Sequence, residues 1–134
     1  MPIREIGEMK LEKVYNLGVE ATLEVIGGKW KPIILCHLGH GALRTGEMRR
    51  RIPAITQKML TQQLRELEED NIIAREVFNQ VPPKVIYSLT KEGKSLREVL
   101  IAMSVWGEER ISNDQKNGKN VQIISQDYTG FVEM

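Results

Sequence analysis

The chain has 134 residues, 41% apolar and 28% charged, with a net charge of +1. That size suits one domain, and the balance excludes a disordered chain. No apolar run approaches the roughly 20 residues that span a bilayer, Met1 to Lys13 lacks the apolar stretch of a signal peptide, and the single cysteine, Cys36, excludes an intrachain disulfide. A cytoplasmic protein is expected.

The periodicity predicts a first helix over Leu11 to Ile26, with Val14, Leu17, Ala21 and Val25 on one face. Gly27 and Gly28 end it. Pro32 opens a second helix, Lys31 to Leu38, whose Ile33, Ile34, Leu35 and Leu38 mark the buried centre of the domain. Thr45 is placed as the cap of a short third helix, Gly46 to Arg51. Beyond Pro53, Thr56 caps a fourth helix that ends near Asp70, and Asn71 takes the left-handed position after it.

Ile72 to Phe78 and Val85 to Leu89 are rich in β-branched and aromatic residues, with Asn79 to Lys84 between them, which reads as a hairpin. Thr90 caps a final long helix, Lys91 to Ile111, with the apolar stripe Leu96, Val99, Leu100, Met103 and Trp106. Met48, Met59, Met103, Trp30 and Trp106 are read as core. Residues 1–112 are therefore expected to form one domain and 113–134 a tail, for which a flexible end and an added strand both stay open. Two helices joined by a short turn and followed by a hairpin make a winged helix-turn-helix, mainly α with a two-stranded β wing.

The charge is unevenly spread. Lys29 to Arg65 holds eight basic residues and one acidic residue, or +7, so the rest of the chain carries −6. Such segregation suggests one face for a polyanion, and an ordinary solvated charge run stays open beside it. In the fourth helix, Leu64 and Leu67 fall within roughly 40° of Leu60, and the three form a buried seam. Lys58, Thr61, Gln62 and Arg65 fall opposite, and such side chains suit the edges of bases in a major groove. The N-terminal half, Thr56 to Arg65, has no carboxylate, whereas Glu66, Glu68, Glu69 and Asp70 crowd the far end. A recognition helix enters the groove by its N-terminal residues. Candidate base contacts are Thr56, Gln57, Lys58, Thr61, Gln62 and Arg65. Candidate backbone contacts are Arg44, Arg49, Arg50, Arg51 and Lys84, with one of the three consecutive arginines expected to point elsewhere.

Several runs taken in series resemble the HxlR-type winged-helix regulators, relatives of the MarR group: Gly28-Lys29-Trp30, Arg44 to Ile52, Ile55 to Thr61, Leu64 to Glu68, Pro83 through Tyr87 to Thr90, Gly93, and Trp106-Gly107. The resemblance covers about residues 14 to 107. It implies a bacterial regulator that dimerises through its N- and C-terminal helices, places one recognition helix per subunit on double-stranded DNA, and represses or activates nearby genes. The operator would be pseudo-palindromic, with half-sites about 34 Å apart. Family members often carry a cysteine ahead of the first core helix. Here that stretch reads Asn16, Leu17, Gly18, so that thiol is missing. The family's frequent Arg-Phe before the third helix is Arg44-Thr45.

Cys36, His37 and His40 have a spacing that could share a metal, but a buried core cysteine is the better reading and no metal or other cofactor is expected. Cys36 is kept as a possible redox group, which needs exposure and a lowered pKa. A small-molecule effector between the first and last helices is also open. The chain has no glycine-rich phosphate loop, nucleophile elbow or metalloprotease pair, so it is not expected to be an enzyme. Scarce aromatics disfavour RNA. The alternatives to a DNA-binding repressor are a winged helix that binds only protein, or a thiol- or ligand-responsive variant of the regulator.

Overall fold

The computed structural model describes residues 11–124. Helix α1 (Gly18–Ile26) turns through Gly27 and Gly28 into α2 (Trp30–Leu38). Helices α3 (Thr45–Arg51) and α4 (Gln57–Glu69) follow, then strands β1 (Ile73–Phe78) and β2 (Lys84–Leu89), a single turn α5 (Lys91–Lys94) and a long α6 (Arg97–Lys116). The strands pair antiparallel, with Ile73 opposite Leu89 and Phe78 opposite Lys84. Leu43 bridges to Tyr87 by two backbone hydrogen bonds of 2.9 Å, so the segment before α3 is tied to the hairpin.

The apolar α2 is the centre, as its composition predicts. Ile34, Leu35 and Leu38 are buried in one cluster with Met48 of α3, Leu60, Leu64 and Leu67 of α4, Ile72, Ile73 and Leu100. Each such side chain contributes about 1.5–3 kcal/mol by leaving water. The turn chemistry also holds. Asn71 sits at φ 58, and Gly28 at φ 82. Gly27 is needed for a different reason: a Cβ there would lie 2.2 Å from the Leu23 carbonyl oxygen.

Four expectations are corrected. The first helix starts at Gly18 rather than Leu11, because Leu17 is extended (φ −133, ψ 146) and its N–H donates to the Glu20 carboxylate at 2.7 Å, a cap that fixes the start there. Val14 and Leu17 therefore precede the helix. Thr45 is not the cap of α3 but its first residue. Arg44 occupies the cap position, and its N–H donates to Glu47 Oε1 at 3.0 Å.

The final helix is broken at Ser95 and Leu96. Their amides reach back three residues, to the Glu92 and Gly93 carbonyls at 3.0 and 3.2 Å, which tightens the chain and re-aims it. Thr90 caps only the short α5, accepting from Gly93 N at 3.0 Å. Helix α6 runs past Ile111 to Lys116, so the expected tail begins inside it. Lys119 N then donates to the Asp114 carbonyl at 2.9 Å and Gln115 Nε2 to the Val121 carbonyl at 2.9 Å, folding 117–121 against the helix end. The remainder of the tail, 125–134, lies outside the described residues.

The assignment of Trp106, Met59 and Met103 to the core is also corrected: all three are exposed, Trp106 by 66%. Of the α6 stripe only Leu100 is buried, and of α1 only Ile26. Among the described residues, no helix is long and apolar enough to cross a membrane.

Candidate nucleic-acid interface

Helix α4 is fixed by its two ends and its seam. Thr56 Oγ1 accepts from Met59 N at 3.1 Å and so satisfies one of the free amides of the first turn. Leu60, Leu64 and Leu67 are each 1% exposed or less. With that face locked inward, Gln57, Lys58, Thr61, Gln62 and Arg65 are all exposed, as is Thr56, although its hydroxyl oxygen is committed to the cap. The structure thus presents five of the six residues proposed to read bases on the open side of α4, with Thr56 at its cap.

Of the cations expected to meet the backbone, Arg44, Arg50 and Lys84 come together. They line a recess of about 400 Å³ with Ala42, Leu43, Glu47 and Ile86 where α3 meets β2. Arg49 and Arg51 are exposed but do not line it. Lys84 starts β2 beside the hairpin tip, and its ammonium lies 5.3 Å from the centre of the Phe78 ring, which steadies it.

Two lysines counted in the basic stretch are used elsewhere. Lys29 lies 4.6 Å over the Trp30 ring. Lys31 is 8% exposed, and its Nζ donates to Glu66 Oε1 at 2.6 Å, joining α2 to α4. A lysine this buried requires such a partner. The other Glu66 oxygen accepts from Gln62 Nε2 at 2.6 Å. These two donors hold the Glu66 carboxyl below the usual carboxylate range. Gln57 Nε2 donates to Thr61 Oγ1 at 3.2 Å, a neutral and looser contact. The sequence reading groups Glu66 with the acids at the far end of the helix. The Gln62–Glu66 spacing of four residues is a signal that was available; its link to Lys31 was not.

Cys36 is half-buried and packed on the core, and burial pushes its thiol up to about 11. At neutral pH about one thiol in ten thousand would then be thiolate. Among the described residues, no group of three or more His, Cys, Asp or Glu side chains could hold a metal ion. A recess of about 220 Å³ lies between Ala21, Thr22 and Val25 of α1 and Ile72, Glu92, Ser95 and Leu96. It is smaller than the roughly 300 Å³ at which small-molecule sites begin.

Comparison with known proteins agrees with this geometry. The profile of the HxlR-like helix-turn-helix family matches residues 25–115. YtcD of Bacillus subtilis, an uncharacterised HTH-type transcriptional regulator, is 61% identical over 101 residues, which are 75% of this chain and 80% of that one. Its crystal structure superposes with a TM-score of 0.69 at 60% identity, covering 72% of this chain and 98% of the other. HypR, a redox regulator solved in its oxidized form, is 56% identical with a TM-score of 0.67, covering 69% and 96%. A protein assigned to the MarR family of regulators in Porphyromonas gingivalis is 29% identical with a TM-score of 0.68, covering 75% and 98%. The relatives are transcriptional regulators, not enzymes. The chain belongs to the HxlR-like helix-turn-helix family, and it is a transcriptional regulator of that winged-helix type.

Proposed function

We propose that the protein is a homodimeric repressor that binds double-stranded DNA at a pseudo-palindromic operator. The observation that carries this reading is the open face of α4. It offers Gln57, Lys58, Thr61, Gln62 and Arg65 with no carboxylate among them, and the cations Arg44, Arg50 and Lys84 gather at the α3–β2 recess. Lys58 and Arg65 supply donors for guanine edges, Gln57 and Gln62 for adenine, and Thr61 a methyl for thymine. Arg44, Arg50 and Lys84 meet phosphates, flanked by Arg49 and Arg51. Thr56 contributes through the N-terminal amides it helps to organise.

A dimer is supported by the apolar side chains left uncovered on both ends of the chain. Leu17, Val19 and Leu23 at α1 and Val99, Met103 and Trp106 on α6 are exposed, and a second subunit that packs there removes them from water. Two-fold symmetry then presents two recognition helices about 34 Å apart, in successive major grooves. Repression follows from occupancy of a promoter alone. Cys36, raised in pKa and part of the core packing, serves as a core side chain rather than as a sensor.

The test is selection from a pool of duplexes with a randomised centre. The reading expects a motif of two inverted half-sites whose centres lie about one helical turn apart. Recovery of no motif, from a folded dimer, would favour a winged helix that binds only protein.

A further inference from the structure

We infer that Lys31 and Glu66 are positioning residues for sequence recognition: together they hold the Gln62 amide in the attitude that reads one base of each half-site. The inference rests on the DNA-binding reading above and names what sets its specificity.

The chain of contacts is continuous. Lys31 on α2 is buried, and its ammonium bonds one oxygen of Glu66 at 2.6 Å. The second oxygen of Glu66 bonds the Gln62 amide nitrogen, also at 2.6 Å. Both bonds carry a formal charge and are short, the stronger class of hydrogen bond. A glutamine on an exposed helix face ordinarily samples many rotamers and loses that freedom on binding. Here the loss is taken in the free protein. The amide has two N–H groups and a carbonyl. Glu66 takes one N–H, which leaves one donor and one acceptor, the complement of the adenine N7 and N6 edge. Lys31 also cancels the charge of a carboxylate that would otherwise stand among groups facing phosphates.

A purely structural role is the competing explanation. An apolar pair of similar size, however, would hold α2 against α4 at least as well as a half-buried ion pair does. That difference supplies the test. The probe is the duplex recovered by the wild type from the randomised pool, together with its single base-pair variants. The double variant Lys31→Met with Glu66→Met is expected to melt at or above the wild-type temperature and still to bind the recovered duplex. It loses a preference of roughly 5- to 150-fold at one base pair per half-site, and Gln62→Ala loses the same one. Glu66→Gln keeps the shape but offers one acceptor oxygen to two donors, so it loses part of that preference while remaining folded. Full retention of the preference in either Glu66 variant, or its survival in Gln62→Ala, overturns the inference. Recovery of no motif by the wild type sinks the DNA-binding reading itself, and this inference with it.

Discussion

Gly93 lies in the buried corner where α5 meets the hairpin, and Gly93→Ala gives a sharp test of how that corner is packed. An added Cβ would stand 2.1 Å from the Ile72 carbonyl oxygen and 3.3 Å from Leu89 Cδ2. An ordinary carbon–oxygen contact is about 3.3 Å or more, so α5 and the strand must part by about 1 Å. The same carbonyl accepts from Thr90 N at 3.1 Å and from Thr90 Oγ1 at 3.0 Å, and the movement stretches both bonds. Overpacking of this kind costs about 1–3 kcal/mol, and each weakened hydrogen bond adds about 1 kcal/mol. Alanine's helix propensity returns at most about 1 kcal/mol. The net is a loss of about 2–4 kcal/mol, or about 8–16 °C in melting temperature for a domain of this size. Gly46→Ala is the control, since its Cβ would meet only Arg50 Nη1 at 3.8 Å, and it is expected to stay within about 0.5 kcal/mol of wild type. Thermal and urea unfolding of the three proteins measure this. A Gly93→Ala protein as stable as wild type would refute the packing described for the corner.

Three further outcomes are expected. Glu66 has a folded-state pKa held down by the Lys31 and Gln62 hydrogen bonds, so its contribution to stability is present above the ordinary carboxylate value and is lost as pH falls through the depressed one. The urea-midpoint gap between wild type and Glu66→Gln should therefore narrow from neutral pH toward and below about pH 4, and a gap independent of pH contradicts the pairing. Cys36→Ala should bind the recovered duplex as wild type does, and mild thiol oxidants should leave wild-type binding unchanged; release of DNA on oxidation that is absent in Cys36→Ala would make Cys36 a sensor after all. Trp106→Glu places a charge on the uncovered α6 face and should shift sedimentation from dimer to monomer, whereas an unaffected dimer would move the interface elsewhere.

Helix α4 was legible because its signals are local. Thr56, the spacing of Leu60, Leu64 and Leu67, and Asn71 each act within a few residues, and all three features are found where periodicity and cap chemistry put them. Lys31 was misread for the opposite reason. Its burial depends on Glu66, 35 residues away, and sequence alone shows only another cation in a basic run. The break at Ser95 and Leu96 leaves no mark in the apolar pattern, because α5 (Lys91–Lys94) carries no apolar side chain whose phase could differ from that of α6. The close approach of Gly93 to the Ile72 carbonyl, made across the fold, likewise leaves no local signal. The stripes on α1 and α6 were correctly seen as apolar, but apolar periodicity does not say whether the covering surface belongs to the same chain.

The most direct measurement is the affinity for the pool-selected duplex and for a scrambled duplex across a series of salt concentrations. With Arg44, Arg50 and Lys84 meeting phosphates as proposed, three cations per subunit would make six in a dimer, and Arg49 and Arg51 would raise this to ten. The slope of log affinity against log salt should then fall between about −5 and −9, with the selected duplex bound more tightly throughout and Arg50→Ala making the slope shallower by about 2 per dimer. Equal affinity for both duplexes, or no binding at any salt by a folded dimer, would contradict the account.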